Sequence, residues 1–94
     1  MPVISVSKAF VRDLKRLGSK QRQNAARDAI VKFAGNPHHS GLNFERVLSR
    51  PGFHTIRATL GDRILLLKAE ARDDYTAVAV GDHDYIYRAY FKRR

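Results

Sequence analysis

The chain has no cysteine. This removes disulfide staples and thiolate chemistry together, and it agrees with a reducing, intracellular setting. Only histidines and carboxylates remain as metal ligands, and no His-x-x-x-His or paired-carboxylate cluster is dense enough to propose a site. Neither a metal nor another cofactor is expected. No apolar run approaches the roughly 18 residues of a membrane span. The segment Met1 to Val6 also lacks the basic flank and long apolar stretch of a secretory signal. The expectation is a cytoplasmic protein with no membrane partner. There is no Gly-rich nucleotide loop and no serine in a nucleophile elbow; Gly61-Asp62 and Gly81-Asp82 read as turns. Repeats, linkers and low-complexity tracts are missing too.

Negative charge is scarce. Nine acidic residues face eighteen basic ones, for a net charge of +9. Such an excess favours encounter with polyanions and with acidic protein segments, without saying which. It is also uneven: residues 1–34 hold eight basic and two acidic groups, residues 35–94 ten and seven. A solvated helix surface accounts for part of the first figure.

An apolar content of 44% argues for folding rather than disorder, and 94 residues fit one domain with a modest core. Residues 2–6 alternate weakly and predict a short strand. Ser7 is placed to cap a helix over Lys8 to Leu17, where Phe10, Leu14 and Leu17 recur at helical spacing with Arg12, Lys15 and Arg16 turned outward. Gly18 ends it, and Ser19 can cap a second helix over Lys20 to Ala34 with Ala26, Ala29, Ile30 and Phe33 as its stripe. Gly35-Asn36-Pro37 stops that helix. After a loop and an extended stretch around Leu42 to Val47, three strands are expected: Phe53 to Leu60, Arg63 to Glu70, and Tyr75 to Gly81. Their turn signals have the spacing of an antiparallel meander. Asp82 to Phe91 closes the chain as a short helix or turn. The fold class is α+β: an N-terminal strand and a helical hairpin packed on one face of a small antiparallel sheet, with a short C-terminal helix.

If Ile56 and Ala58 face the helices, Arg57 points to the other, partly open side. A guanidinium there can hold a phosphate through paired, charge-assisted bonds. Arg63 opens the next strand across a tight turn and falls near Thr59 or Arg57. Two cations on one face repel unless an anion joins them; alternatively, Arg63 pairs with Asp62, Glu70 or Asp84. Histidine is the side chain whose unperturbed pKa lies near neutrality, so His83, flanked by Asp82 and Asp84, is a candidate to exchange protons with a ribose hydroxyl. An exposed turn histidine is also ordinary polar surface. Tyr87 lies one helical turn later on the same side, whereas Tyr85 and Tyr90 read as packing residues. Arg12, Lys15, Arg16, Lys20, Arg22, Arg88 and Lys92 are candidate backbone contacts for RNA, which position a strand without reading its sequence.

These residues carry a resemblance. From Ser7-Lys8-Ala9-Phe10 through Leu17, by way of Gly41-Leu42-Asn43-Phe44-Glu45, to Ile56-Arg57-Ala58-Thr59-Leu60-Gly61-Asp62-Arg63-Ile64-Leu65-Leu66 and Val80-Gly81-Asp82-His83-Asp84-Tyr85-Ile86-Tyr87-Arg88, the chain resembles the RelE/ParE superfamily of bacterial toxins, on its RelE-like messenger-RNA interferase side. The resemblance implies one RelE-like domain over residues 1–94. It implies a metal-independent endoribonuclease cutting messenger RNA on the ribosome through 2′-hydroxyl attack. It also implies a cognate antitoxin with an acidic amphipathic tail. Arg57 falls where the family has an arginine late in the first meander strand, and Arg63 matches the arginine opening the next strand. His83 and Tyr87 match the histidine and tyrosine of the C-terminal motif. The pattern departs where Asp82 is inserted after Gly81 and where Asp84 replaces a basic residue, as in a branch that includes companions of DNA-helicase proteins. The alternative implied function is a non-catalytic module acting on an antitoxin, a gyrase or a helicase.

Overall fold

The computed structural model describes residues 2–70 and 72–91. Strand β1, Val3–Val6, leads into helix α1, Lys8–Arg16, and then into helix α2, Lys20–Gly35. Both predicted caps form: Ser7 Oγ accepts from the Phe10 N–H at 3.0 Å, and Ser19 Oγ from the Arg22 N–H at 3.3 Å. Gly18 makes the reversal between the helices at a φ of +71°, where a side chain would be strained. A 3₁₀ turn at Ser40–Leu42 leads to the two-residue strand β2, Glu45–Arg46. Strands β3, Phe53–Arg57, β4, Asp62–Lys68, and β5, Asp74–Asp82, form the meander, and α3, His83–Tyr90, follows directly.

The sheet order is β1-β5-β4-β3-β2. The meander and β2 pair antiparallel as expected, but β1 joins β5 in parallel, Val3 opposite Asp74 and Val6 opposite Ala77. The sheet is therefore mixed rather than wholly antiparallel. A short strand with alternating residues carries no signal of direction; that is set by which edge its helix must cover. Here α1 rests chiefly on β5.

Two apolar clusters lie on opposite sides of this sheet. Under α1 and α2, Phe10, Leu14, Phe33, Ile56, Ile64, Leu66, Ala77 and Val80 pack together. The edge-to-face contacts of Phe33 with Phe44 and Tyr75, at 5.1 and 4.9 Å, fill the deep end. Under α3, a smaller cluster joins Val47, Leu65, Ala79, Ile86 and Phe91. The second face, expected to stay partly open, is thus roofed over part of its area by α3.

A bulge makes this division possible. Leu65 opposes Ala79, yet Leu66 opposes Ala77, so Val78 is the extra residue of β5. It shifts the alternation by one step, putting Ala77 and Val80 in the first cluster and Ala79 in the second. Gly81, next to Val80, consequently lies on the α3 face.

Candidate functional site

Arg57 and Arg63 are direct partners across β3 and β4, and Arg63 is in turn opposite Gly81 on β5. Their neighbours Ile56 and Ile64 are buried under α1 and α2, so both arginines project onto the α3 face. The ladder bonds fall on alternate pairs out of step with them: beside them the Ala58 N–H donates to the Asp62 carbonyl at 2.9 Å, and at the far end the Lys68 N–H donates to the Gly52 carbonyl at 2.8 Å. Arg57 and Arg63 are therefore a non-hydrogen-bonded pair, the kind in which side chains approach most closely, with Cα atoms about 4.5 Å apart. Like charges so placed destabilise a sheet. Neither arginine forms an ion pair among the described residues. Arg57 Nε and Arg63 Nη1 are buried without a hydrogen-bond partner, and an unmet buried donor is costly. The proposed intramolecular pairing of Arg63 with Asp62, Glu70 or Asp84 does not occur.

Asp62 is engaged elsewhere. Its carboxylate, 3% exposed, receives Arg22 Nε and Nη2 at 2.8 Å each, while Arg22 Nη1 donates to the Leu17 carbonyl at 3.2 Å. Arg22, a candidate RNA contact, has a structural partner: its planar fork ties the β3–β4 turn to the start of α2. The Arg22 guanidinium holds the Asp62 carboxyl below the usual carboxylate range, with help from Thr59 and against burial.

Helix α3 starts at the same end of the sheet. Asp82 is its cap, Oδ1 accepting from the Tyr85 N–H at 2.7 Å. The acidic residue that departs from the family pattern thus has a structural task. His83 and Tyr87, four residues apart, stack with ring centroids 4.3 Å apart and planes at 22°. Tyr87 continues onto Phe91 at 5.1 Å, which meets Phe53 edge-to-face at 5.5 Å. From Phe91 to His83 the helix rises about 12 Å, and from Phe53 to Arg57 the strand rises about 13 Å. The His83 end of the stack is accordingly level with the arginine pair. His83 Nδ1 lies 3.6 Å from Asp84 Oδ1, and both side chains are well exposed.

A buried latch fixes α3 in place. Asp13 of α1 is 2% exposed; its Oδ1 accepts from Tyr85 Oη at 2.8 Å and its Oδ2 from the Val80 N–H at 3.3 Å. Beyond Ala77 the β5 edge has no β1 alongside, so Asp13 meets its free N–H, and Tyr90 Oη donates to the Val78 carbonyl at 3.4 Å. Burial first, then the bond to Asp13, push the Tyr85 phenol up to about 12. The Tyr85 ring lies over Gly81 so closely that a Cβ there would stand 2.6 Å from Cδ2. Sequence reading assigned Tyr85 and Tyr90 to packing but had no signal for Asp13, since the contact joins residues far apart in the chain.

The other basic candidates spread along the helices. Arg12, Lys15 and Arg16 are exposed on α1, Lys20 at the start of α2, and Arg88 on α3; Lys92 lies outside the described residues. Arg16 reaches a cleft of about 210 Å³ shared with Asp13, Asp82 and Tyr85. Among the described residues no group of three His, Asp or Glu side chains is arranged to hold a metal, and no helix is long and apolar enough to cross a membrane.

Solved structures decide the fold. A "YoeB/ParE toxin" from Agrobacterium tumefaciens superposes with a TM-score of 0.69 at 12% identity, covering 86% of this chain and 98% of that one. YafQ from E. coli gives 0.70 at 12%, covering 93% and 99%. The toxin chain of a RelB-RelE antitoxin-toxin complex from Methanococcus jannaschii gives 0.68 at 16%, covering 92% and 98%. The chain has the RelE/ParE toxin fold. The sequence itself matches no protein-family model and no curated protein. What is shared with the RelE/ParE toxins is therefore architecture, and the chemistry has to be argued from the side chains that this fold carries.

Proposed function

We propose that this chain is the toxin of a toxin–antitoxin pair and an endoribonuclease that cuts messenger RNA, engaged with the ribosome, by attack of a 2′-hydroxyl. The observation that carries this reading is the Arg57–Arg63 pair, two cations facing each other without a carboxylate and each with an unmet buried donor. A phosphodiester bridging them supplies the missing acceptors and removes the repulsion. His83 takes the proton of the 2′-hydroxyl as its oxygen attacks the adjacent phosphorus. Arg57 and Arg63 stabilise the charge that builds on the phosphoryl oxygens, and the P–O5′ bond breaks as the 5′-oxygen takes a proton from solvent water, giving a 2′,3′-cyclic phosphate and a 5′-hydroxyl. Tyr87, stacked on His83, holds the imidazole at the edge of the site and serves as the alternative proton carrier.

The exposed helical cations extend the electrostatic surface along the strand. A net charge of +9 also suits a neutralising partner with an acidic amphipathic segment, and the fold likeness includes a toxin solved with its antitoxin. Such a pair operates in the cytoplasm. One observation favours a second reading: Asp84, 87% exposed beside His83, repels a phosphate backbone, which suits a non-catalytic module gripping an acidic protein surface.

Induced expression separates the two readings. Nuclease activity predicts growth arrest with new 5′ ends inside translated messages, and loss of cleavage by at least about 10²–10³-fold on replacing Arg57 and Arg63 together with alanine. Arrest with intact messages selects the protein-binding role. Unchanged cleavage by the double variant refutes the site.

A further inference from the structure

The turn between β3 and β4 holds one apolar side chain out to water from an unusually stiff frame. Leu60, 93% exposed, sits at its tip. A lone surface leucine needs no explanation; its mount does. Thr59 Oγ1 accepts from the N–H groups of Gly61 and Asp62 at 3.2 and 3.0 Å and donates to Asp62 Oδ2 at 3.2 Å. The N–H groups of Ala58 and Thr59 both donate to the Asp62 carbonyl. Asp62 is gripped at both carboxylate oxygens by Arg22, which also reaches back to Leu17. Loop tips are ordinarily the loosest part of a domain, yet this one is tied to the joint between α1 and α2. Closing the hairpin would be served as well by a polar residue at the tip, which would expose no apolar surface.

Its position supplies the reason. The tip, Leu60, is three residues from each of the paired Arg57 and Arg63, at most about 10 Å along the strands. On the reading that those arginines hold the scissile phosphate, on which this inference rests, a base of an adjoining nucleotide comes within reach of the tip. We propose that Leu60 is a base-contacting residue, its isobutyl group packing against the face of the nucleobase next to the gripped phosphate. Leucine acts in this way where apolar wedges enter between stacked bases, and every unpaired base offers such a face. An aliphatic group carries no donor or acceptor pattern, so the contact selects unstacked, single-stranded RNA rather than a particular base. A rigid mount suits this task because a freely moving tip would give up the contact to its own entropy.

The test is an NMR titration of the full chain, with methyl-labelled leucine, against a short single-stranded RNA carrying 2′-O-methyl groups so that it cannot be cut. The Leu60 methyl resonances are expected to move upfield in the ring current of a base. Those of Leu48, 83% exposed in the turn before β3, are expected to stay in place. Leu60→Ser should weaken binding by about 3–10-fold, and a probe abasic at the neighbouring nucleotide should abolish that difference. Shifts at the Arg57 and Arg63 amides with stationary Leu60 methyls, or equal affinity for Leu60→Ser, overturn the base contact while leaving the RNA reading intact. No response at any residue overturns the RNA reading, and the base contact falls with it.

Discussion

On the face of the sheet under α1 and α2, each buried carboxylate is bonded: Asp62 by Arg22 and Thr59, and Asp13 by Tyr85 and the β5 backbone. On the opposite face, across the same two strands, Arg57 and Arg63 confront each other with donors unmet. Arginine is thus used in two ways around one hairpin. Arg22 closes an ion pair that stabilises the native state, while Arg57 and Arg63 form a like-charge arrangement that opposes it. Groups that oppose folding persist where the surrounding fold over-determines them, and they point to a ligand more strongly than satisfied ones do.

The contrast can be broken most forcefully at Asp62. Asp62→Ala removes the acceptor of two charge-assisted bonds from Arg22 and should cost about 3 kcal/mol, lowering Tm by on the order of 10 °C or more in a thermal melt. Because the native pKa of Asp62 is depressed, its contribution is present above the carboxylate's unfolded value near 4 and fades as pH falls through the lower folded value. The variant should therefore show a flatter acid limb.

The Tyr85 latch gives a slightly smaller effect with the opposite pH sign. Its phenol is raised to about 12, so its contribution is present below the unfolded value near 10 and is lost as pH rises from there towards 12. At 1.36 kcal/mol per pH unit the loss is roughly 2–3 kcal/mol. Denaturant melts across that range should show it, and Tyr85→Phe should not. The smallest effect is also the most discriminating. Arg63→Leu should leave stability unchanged or raise it by about 0.2–1 kcal/mol, because it relieves a like-charge pair. A destabilisation comparable with that of Asp62→Ala would mean that Arg63 has a structural partner.

Much of the local structure was legible because periodicity and caps are local properties. Ser7, Ser19 and Gly18 mark boundaries close to those observed, and the alternation around Ile56 puts Arg57 on the face away from α1 and α2. The alternation predicts a strand as far as Leu60, but β3 ends at Arg57, because Ala58 to Leu60 keep the alternation while the chain is already turning. Other features depend on contacts between distant segments. The parallel seating of β1, the bulge at Val78, the roofing of the second face by α3 and the engagement of Arg22 by Asp62 leave no trace in local pattern. For the proposed site, residue chemistry puts forward Arg57, Arg63, His83 and Tyr87 as candidates, but not the donors left unmet on Arg57 and Arg63 or the capping task of Asp82, which only the register and the helix start make visible.

The parallel pairing of β1 with β5 has a consequence for timing. During synthesis β1 and α1 emerge long before Asp74 to Ala77, the strand segment that gives β1 its neighbour. Contacts so distant along the chain form late and slowly. A nascent chain stalled short of β5 would hold the arginine hairpin without the scaffold that aligns it. On the proposed reading of a toxin that acts on messages being translated, this topology delays competence until β5 has been made.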